Sequence, residues 1–213
     1  MTIDRKTSAL IVVDVQKDFC PGGALAVREG DAVVGPCNRA MRAFDHIVLT
    51  QDWHPLGHVS FASTWPGKPV FSQVEVAGGA QTLWPDHCVA GSAGAGFHPR
   101  LESSRASLVL RKGRSVSLDS YSAFLENDRR TSTGLAGWLR ELGVRDIYLA
   151  GLATDYCVLA TGLDALAAGF RLNLVGDAVR GVDLPEGSAA AALERLRSLG
   201  ATLVASDELE VLR

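Results

Sequence analysis

The chain has 213 residues, 47% hydrophobic and 21% charged, with a formal net charge of −3. That is ordinary globular composition, and the length suits one domain over residues 1–213. A slight acidic balance excludes a phosphate-neutralising nucleic-acid binder, and no apolar run approaches the ~18 residues of a membrane span.

The opening "MTIDRKTSAL" lacks the apolar stretch of a signal peptide. Cys20, Cys37, Cys88 and Cys157 are scattered, with no C-x-x-C pair, so they do not read as a disulfide scaffold. Free thiols in a reducing, cytoplasmic setting are expected.

Strand-like apolar runs recur along the chain. They are "ALIVV" (9–13), "HIVLT" (46–50), "SLVLR" (107–111), "DIYLA" (146–150), "RLNLV" (171–175) and "ATLVA" (201–205). Helical patterns lie between the later ones. "STGLAGWLRELG" (132–143) sets Leu135, Trp138, Leu139 and Leu142 on one face and stops at Gly143. "TDYCVLATGLDALAAG" (154–169) opens with Thr154 as N-cap and ends at Gly169, and "SAAAALERLRSLG" (188–200) runs from Ser188 to Gly200. Continuous apolar strands alternating with amphipathic helices predict an α/β fold, a three-layer αβα sandwich around a mostly parallel six-stranded sheet. The Gly-, Pro-, Ser- and Trp-rich region at about 52–105 has little periodicity, and a loop that long in a compact domain is usually functional.

Ligands of open α/β sheets bind beyond the carboxyl ends of the strands. There the sequence places Asp14, the run Gln51-Asp52-Trp53-His54, Lys112, the turn to Cys157, and Gly176-Asp177. Each has a plain reading: Cys157 as core, Lys112 as a solvated lysine between Arg111 and Arg114, Asp14 as a turn residue. Together they form a convergent set. With Thr154 as cap, Cys157 falls third in its helix, where unpaired N–H groups favour a thiolate. Lys112 would stabilise that charge, and Asp14 would accept the thiol proton. Asp52 and His54 alternate and so point the same way in an extended segment. Carboxylate plus imidazole suits Zn²⁺, Fe²⁺ or Mn²⁺, with a third ligand among His58, His87 and His98.

The blocks "VVDVQKDFCPGGALAVREGD", "TQDWHPLGHVSFAS", "QTLWPDHCV", "KGRSVSLDSYSAF" and "GLATDYCVLAT" stand in this order and resemble those of nicotinamidases. These belong to the isochorismatase-like cysteine hydrolases. The resemblance covers nearly the whole chain and implies that superfamily's fold. It implies a triad of Asp14, Lys112 and Cys157, and one divalent metal ion (Zn, Fe or Mn) on Asp52, His54 and His87. His58 and Ser60 fall where family members vary in a further direct or water-bridged metal contact. A cis peptide between Leu152 and Ala153 is implied, aiming the N–H groups of Ala153 and Cys157 at one oxyanion. Phe19, Trp84 and Tyr121 match the aromatic pocket walls. The implied activity is hydrolysis of nicotinamide to nicotinate and ammonia in NAD salvage, the alternative being a related cysteine amidohydrolase of another small amide or carbamoyl compound. The expected partner is the small-molecule substrate, with no nucleic acid or membrane and with homo-oligomerisation left open.

Overall fold

Parallel strands dominate the structure, a computed structural model that describes residues 2–76 and 79–211. In chain order the elements are β1 (Thr2–Ile3), β2 (Ser8–Val13), α1 (Val34–Met41), β3 (His46–Asp52), β4 (Gln73–Val76), β5 (Gly79–Thr82) and β6 (Leu108–Lys112). Then follow α2 (Leu135–Glu141), β7 (Asp146–Leu152), α3 (Leu159–Ala167), β8 (Arg171–Arg180), α4 (Ser188–Ser198), β9 (Thr202–Val204) and β10 (Glu210–Val211). The central sheet has six strands in the order β6-β3-β2-β7-β8-β9, and every neighbouring pair is parallel.

The sheet is buried on both faces, which is why its strands read as unbroken apolar runs. Along β2, Leu10 and Val12 turn to one core with Val34, Cys37 and Met41 of α1. Ala9, Ile11 and Val13 turn to the other with Leu135 and Leu139 of α2, Ala165 of α3 and Leu196 of α4. One helix on one face and three on the other give the expected three layers. Leu142, placed by sequence on the inner stripe of its helix, is instead 36% exposed, because α2 ends one residue earlier.

Three boundaries differ from the sequence expectation. The strands β3 and β6 each extend to a polar residue, so Asp52 and Lys112 are in-sheet register partners rather than loop residues. The strand β8 continues through an irregularity to Arg180, so Gly176 and Asp177 lie within it and not at the rim. Asp177 faces Arg39 and Ser206, away from the other candidate residues. The long loop region also contains a hairpin, β4–β5, that alternation did not reveal. Among the described residues no helix is long and apolar enough to cross a membrane.

Candidate active site and metal centre

The order in which strands are added reverses at β2: β3 and β6 lie on one side of it, and β7, β8 and β9 on the other. The carboxyl ends of β2 and β7 therefore flank a topological switch point, where α/β sheets bind ligands. Asp14 follows β2 and the turn to Cys157 follows β7. Val13 pairs with Gly151 there, and a Cβ on Gly151 would stand 2.1 Å from the Val13 carbonyl oxygen, so only glycine allows this pairing.

Asp14, Lys112 and Cys157 meet at this rim. Lys112 is fully buried, and its Nζ lies 2.9 Å from Asp14 Oδ2 and 3.4 Å from Cys157 Sγ. It also donates to the Ser120 carbonyl at 3.0 Å and to Asp52 Oδ1. Four acceptors thus surround a group with three protons. Asp14 takes a left-handed backbone (φ 47°), fixed by a reciprocal pair of bonds with Thr50. Its N–H donates to Thr50 Oγ1 at 3.1 Å, and the Thr50 hydroxyl donates to Asp14 Oδ1 at 2.6 Å. Asp14 Oδ2 accepts no well-directed hydrogen bond and keeps a lone pair for a proton.

Burial pushes the Asp14 carboxyl up, against the pull of the Lys112 ammonium. Burial also pushes the Cys157 thiol well above its ordinary value, Lys112 opposing and Asp52 and Asp14 adding to the shift. The Lys112 ammonium is held charged because its two carboxylates outweigh its own burial. Burial therefore opposes the thiolate that position at a helix start favours, and Asp14 stands beside the sulfur as a base.

Ala153, not Thr154, occupies the cap position without a side-chain cap bond, and Thr154 is buried as the first residue of the turn. Residues Thr154–Val158 form a wide π turn in which the Val158 N–H donates to the Ala153 carbonyl, five residues back, at 3.1 Å. Such turns recur at functional sites. The Leu152–Ala153 peptide is cis.

Asp52 carries the second cluster. Its Oδ2 lies 3.6 Å from His54 Nε2 and 3.9 Å from His87 Nε2. Each imidazole is oriented from behind: His54 Nδ1 is 3.0 Å from the Gly113 carbonyl and His87 Nδ1 is 2.7 Å from the Pro85 carbonyl. Donation there leaves both Nε2 lone pairs facing the carboxylate, the outer-shell arrangement of metal-binding histidines. Ligand atoms of Asp52, His54 and His87 all lie within 4.8 Å of one another, and all three residues are buried. Two imidazoles and a carboxylate at this spacing fit one divalent ion with bonds of about 2.1 Å. Burial favours a low Asp52 affinity for charge, but Lys112 and the histidines outweigh it and hold its carboxyl well below the usual range.

Of the other candidates, His58 stacks on His54 with ring centroids 4.1 Å apart. Its Nδ1 lies 2.7 Å from Ser60 Oγ and its Nε2 3.3 Å from the Leu118 carbonyl, so both nitrogens are engaged outside the Asp52 set. Burial and His54 push His58 down to about 4. His98 is not brought to this cluster; it borders a separate surface groove with Lys17 and Asp31.

Phe19, Trp84 and Tyr121 line one pocket with Asp52, His87, Ala153 and Cys157. Trp84 Nε1 donates to Tyr121 Oη at 3.2 Å. Leu25, Tyr156 and Val182 complete the walls and were not singled out by sequence; Tyr156 at least adjoins Cys157. Gln16 and Thr50 were also missed. Gln16 accepts the Asp52 N–H and donates to its carbonyl, both at 2.8 Å, so it fixes the Asp52 backbone.

A three-layer α/β protein that gathers a thiol, an ammonium and a carboxylate beside a metal-ligand cluster is equipped for hydrolysis at an electrophilic carbon. The chain belongs to the isochorismatase family, since the description "Isochorismatase domain" matches residues 8–208. It is 46% identical over 203 residues to the nicotinamidase of Acinetobacter baylyi, covering 95% of this chain and 94% of that protein. An L. infantum protein crystallised in complex with nicotinate superposes with a TM-score of 0.87 at 38% identity, covering 100% of this chain and 99% of that one. The Pyrococcus horikoshii pyrazinamidase in complex with zinc superposes with a TM-score of 0.76 at 39% identity, covering 93% and 98%.

Proposed function

We propose that this chain hydrolyses nicotinamide to nicotinate and ammonia through a thioester on Cys157, serving NAD salvage in a reducing cytoplasm. The observation that carries this reading is Lys112, whose buried ammonium touches Asp14, Asp52 and Cys157, the last two of which line an aromatic pocket.

Asp14 Oδ2 accepts the Cys157 proton as the sulfur attacks the carboxamide carbon. Asp14 and Cys157 sit within 4.8 Å, close enough for that transfer as substrate closes the pocket. The oxyanion rests on the Ala153 and Cys157 N–H groups, worth ~3 kcal/mol per donor. Lys112 holds the summed charge of sulfur and carboxylates steady. Asp14 then returns its proton to the departing amide nitrogen, the C–N bond breaks, and ammonia leaves. A water deprotonated by Asp14 attacks the thioester, and Cys157 leaves and regains the proton. A divalent ion on Asp52, His54 and His87 would supply a Lewis-acidic partner for the pyridine nitrogen, which orients the ring. Zn²⁺, Fe²⁺ and Mn²⁺ share the preference for this donor set. Phe19, Trp84 and Tyr121 sandwich the ring and exclude water.

Ammonia release from nicotinamide, N-carbamoylsarcosine and an aliphatic amide tests the reading. Nicotinamide should be strongly preferred; preference for the carbamoyl compound would assign the chain to another branch of the family.

A further inference from the structure

Two consecutive residues of the turn that carries Cys157 reach across to one surface segment. Asp155 Oδ1 accepts the Val182 N–H at 2.9 Å, and Oδ2 accepts the Asp183 N–H at 2.8 Å and the Ser188 hydroxyl at 2.6 Å. Tyr156 Oη donates to the Leu184 carbonyl at 3.2 Å. Gly181 permits the approach: a Cβ there would stand 2.5 Å from Ala189 Cβ and 3.2 Å from Asp155 Oδ1. Residues 183–187 of the segment are exposed, whereas Val182 is half-buried and packs against the core. Its contribution to the site is Val182, which lines the pocket beside Cys157.

We propose that Asp155 is a positioning residue that sets ring-size selectivity by holding Val182 against the substrate pocket. The proposal rests on the nicotinamidase reading. Asp155 bonds the Val182 N–H itself, so the wall side chain is fixed within one residue of its anchor. The other walls are steadied differently, Trp84 by its bond to Tyr121 and its edge contact with Tyr156 at 4.9 Å, and Phe19 against His87 at 5.5 Å. Loosening the Asp155 anchor lets Val182 retreat, and the pocket then admits a substituent that the native wall excludes.

The test is the ratio of kcat/KM for nicotinamides carrying one ring methyl to kcat/KM for nicotinamide, measured with the metal-loaded protein. Val182→Ala, which deletes the wall, should raise the best methyl ratio about tenfold, the scale on which pockets discriminate methyl groups. Asp155→Asn keeps the shape but turns one acceptor into a donor, and should raise the same ratio at least about threefold. Ser188→Ala should raise it less. A purely structural role would lower melting temperature or scale all amides together, leaving the ratio flat. A flat ratio in folded Asp155→Asn overturns the proposal, as does a flat ratio in Val182→Ala. Where Asp155→Asn does not fold, Ser188→Ala decides: a raised ratio supports the proposal and a flat one overturns it. Wild type that releases no ammonia from nicotinamide fails the functional reading, whereas an active wild type with flat variant ratios fails this one alone.

Discussion

Asp52 and Lys112 are register partners on adjacent parallel strands, and their side chains form a buried ion pair. Asp52 gives Oδ1 to that pair and turns Oδ2 towards His54 and His87. One carboxylate therefore joins the ammonium that serves Cys157 to the cluster that fits a metal. Chemistry and ring binding share a rigid base, because both groups are fixed by the sheet ladder itself.

Lys112→Met keeps most of the side-chain volume and removes the charge. Asp14 and Asp52 are then buried without their cation, at a cost of about 3–5 kcal/mol. Turnover should fall at least ~100-fold, a loss of about 2.7 kcal/mol. Cys157 loses the one neighbour that lowers its pKa, so alkylation at neutral pH should slow. The stability profile should shift towards acid. In the metal-free wild type Asp52 is depressed below 3.8, so its contribution is present above that value and is lost as pH falls further. In the variant Asp14, already raised by burial in wild type, loses the opposing pull of Lys112, so its contribution is present in acid and is lost as pH rises. Denaturant titration across pH checks this; a variant with the wild-type profile and wild-type alkylation rate would remove Lys112 from the account.

Cys157→Ala should abolish ammonia release while leaving fold and metal content intact. An aldehyde analogue of nicotinamide should form a thiohemiacetal with wild type alone. Because burial holds the thiol well above 9.0, alkylation of the substrate-free protein should climb with pH through neutrality, with no plateau below that value. An alkylation midpoint near pH 7 would show a resting thiolate and contradict the buried-thiol geometry.

Much of this site was legible because its residues stand at strand ends, where apolar runs give way to Asp14, to Gln51-Asp52 and to Arg111-Lys112. The period of the pattern located the sheet, and the ordered blocks identified the chemistry. What stayed hidden depended on distant contacts. Nothing local marks Val182 as a wall, since its place comes from Asp155, 27 residues earlier. Thr154 looked like an N-cap because sequence shows its hydroxyl but not the wide turn that buries it. The sequence shows the helix position that favours a thiolate at Cys157, but not the burial and the two carboxylates that oppose it, because these come from other strands.

Gln16 and Gly113 offer a test of the cluster that avoids its ligands. Gln16 brackets the Asp52 backbone, and Gln16→Ala should weaken metal affinity about 10–100-fold, the usual effect of losing an orienting neighbour. A Cβ on Gly113, at φ 62°, would stand 2.4 Å from His54 Cε1, so Gly113→Ala should displace that imidazole. Metal titration of the stripped proteins reads both effects. Wild-type affinity in both variants would mean that the ion sits elsewhere.

The last prediction concerns what the ion does for recognition. If an ion on Asp52, His54 and His87 only supported the loop, any flat aromatic amide of the right size would be accepted. If it meets the pyridine nitrogen, that nitrogen becomes a recognition element. Benzamide has the shape and carboxamide of nicotinamide but no ring lone pair. A site built to pair with a polar atom rejects an analogue lacking it far more strongly than an apolar pocket does, by ~10⁴ in favourable cases. We therefore expect kcat/KM for benzamide at least ~100-fold below that for nicotinamide in the metal-loaded protein. His54→Ala should narrow the gap by losing nicotinamide activity rather than by gaining benzamide activity. Stripping the metal with a chelator should do the same, and re-adding Zn²⁺, Fe²⁺ or Mn²⁺ separately should restore the gap with the ion that binds. Equal efficiencies for the two amides in the metal-loaded wild type would refute the metal–pyridine contact and leave the Cys157 chemistry standing.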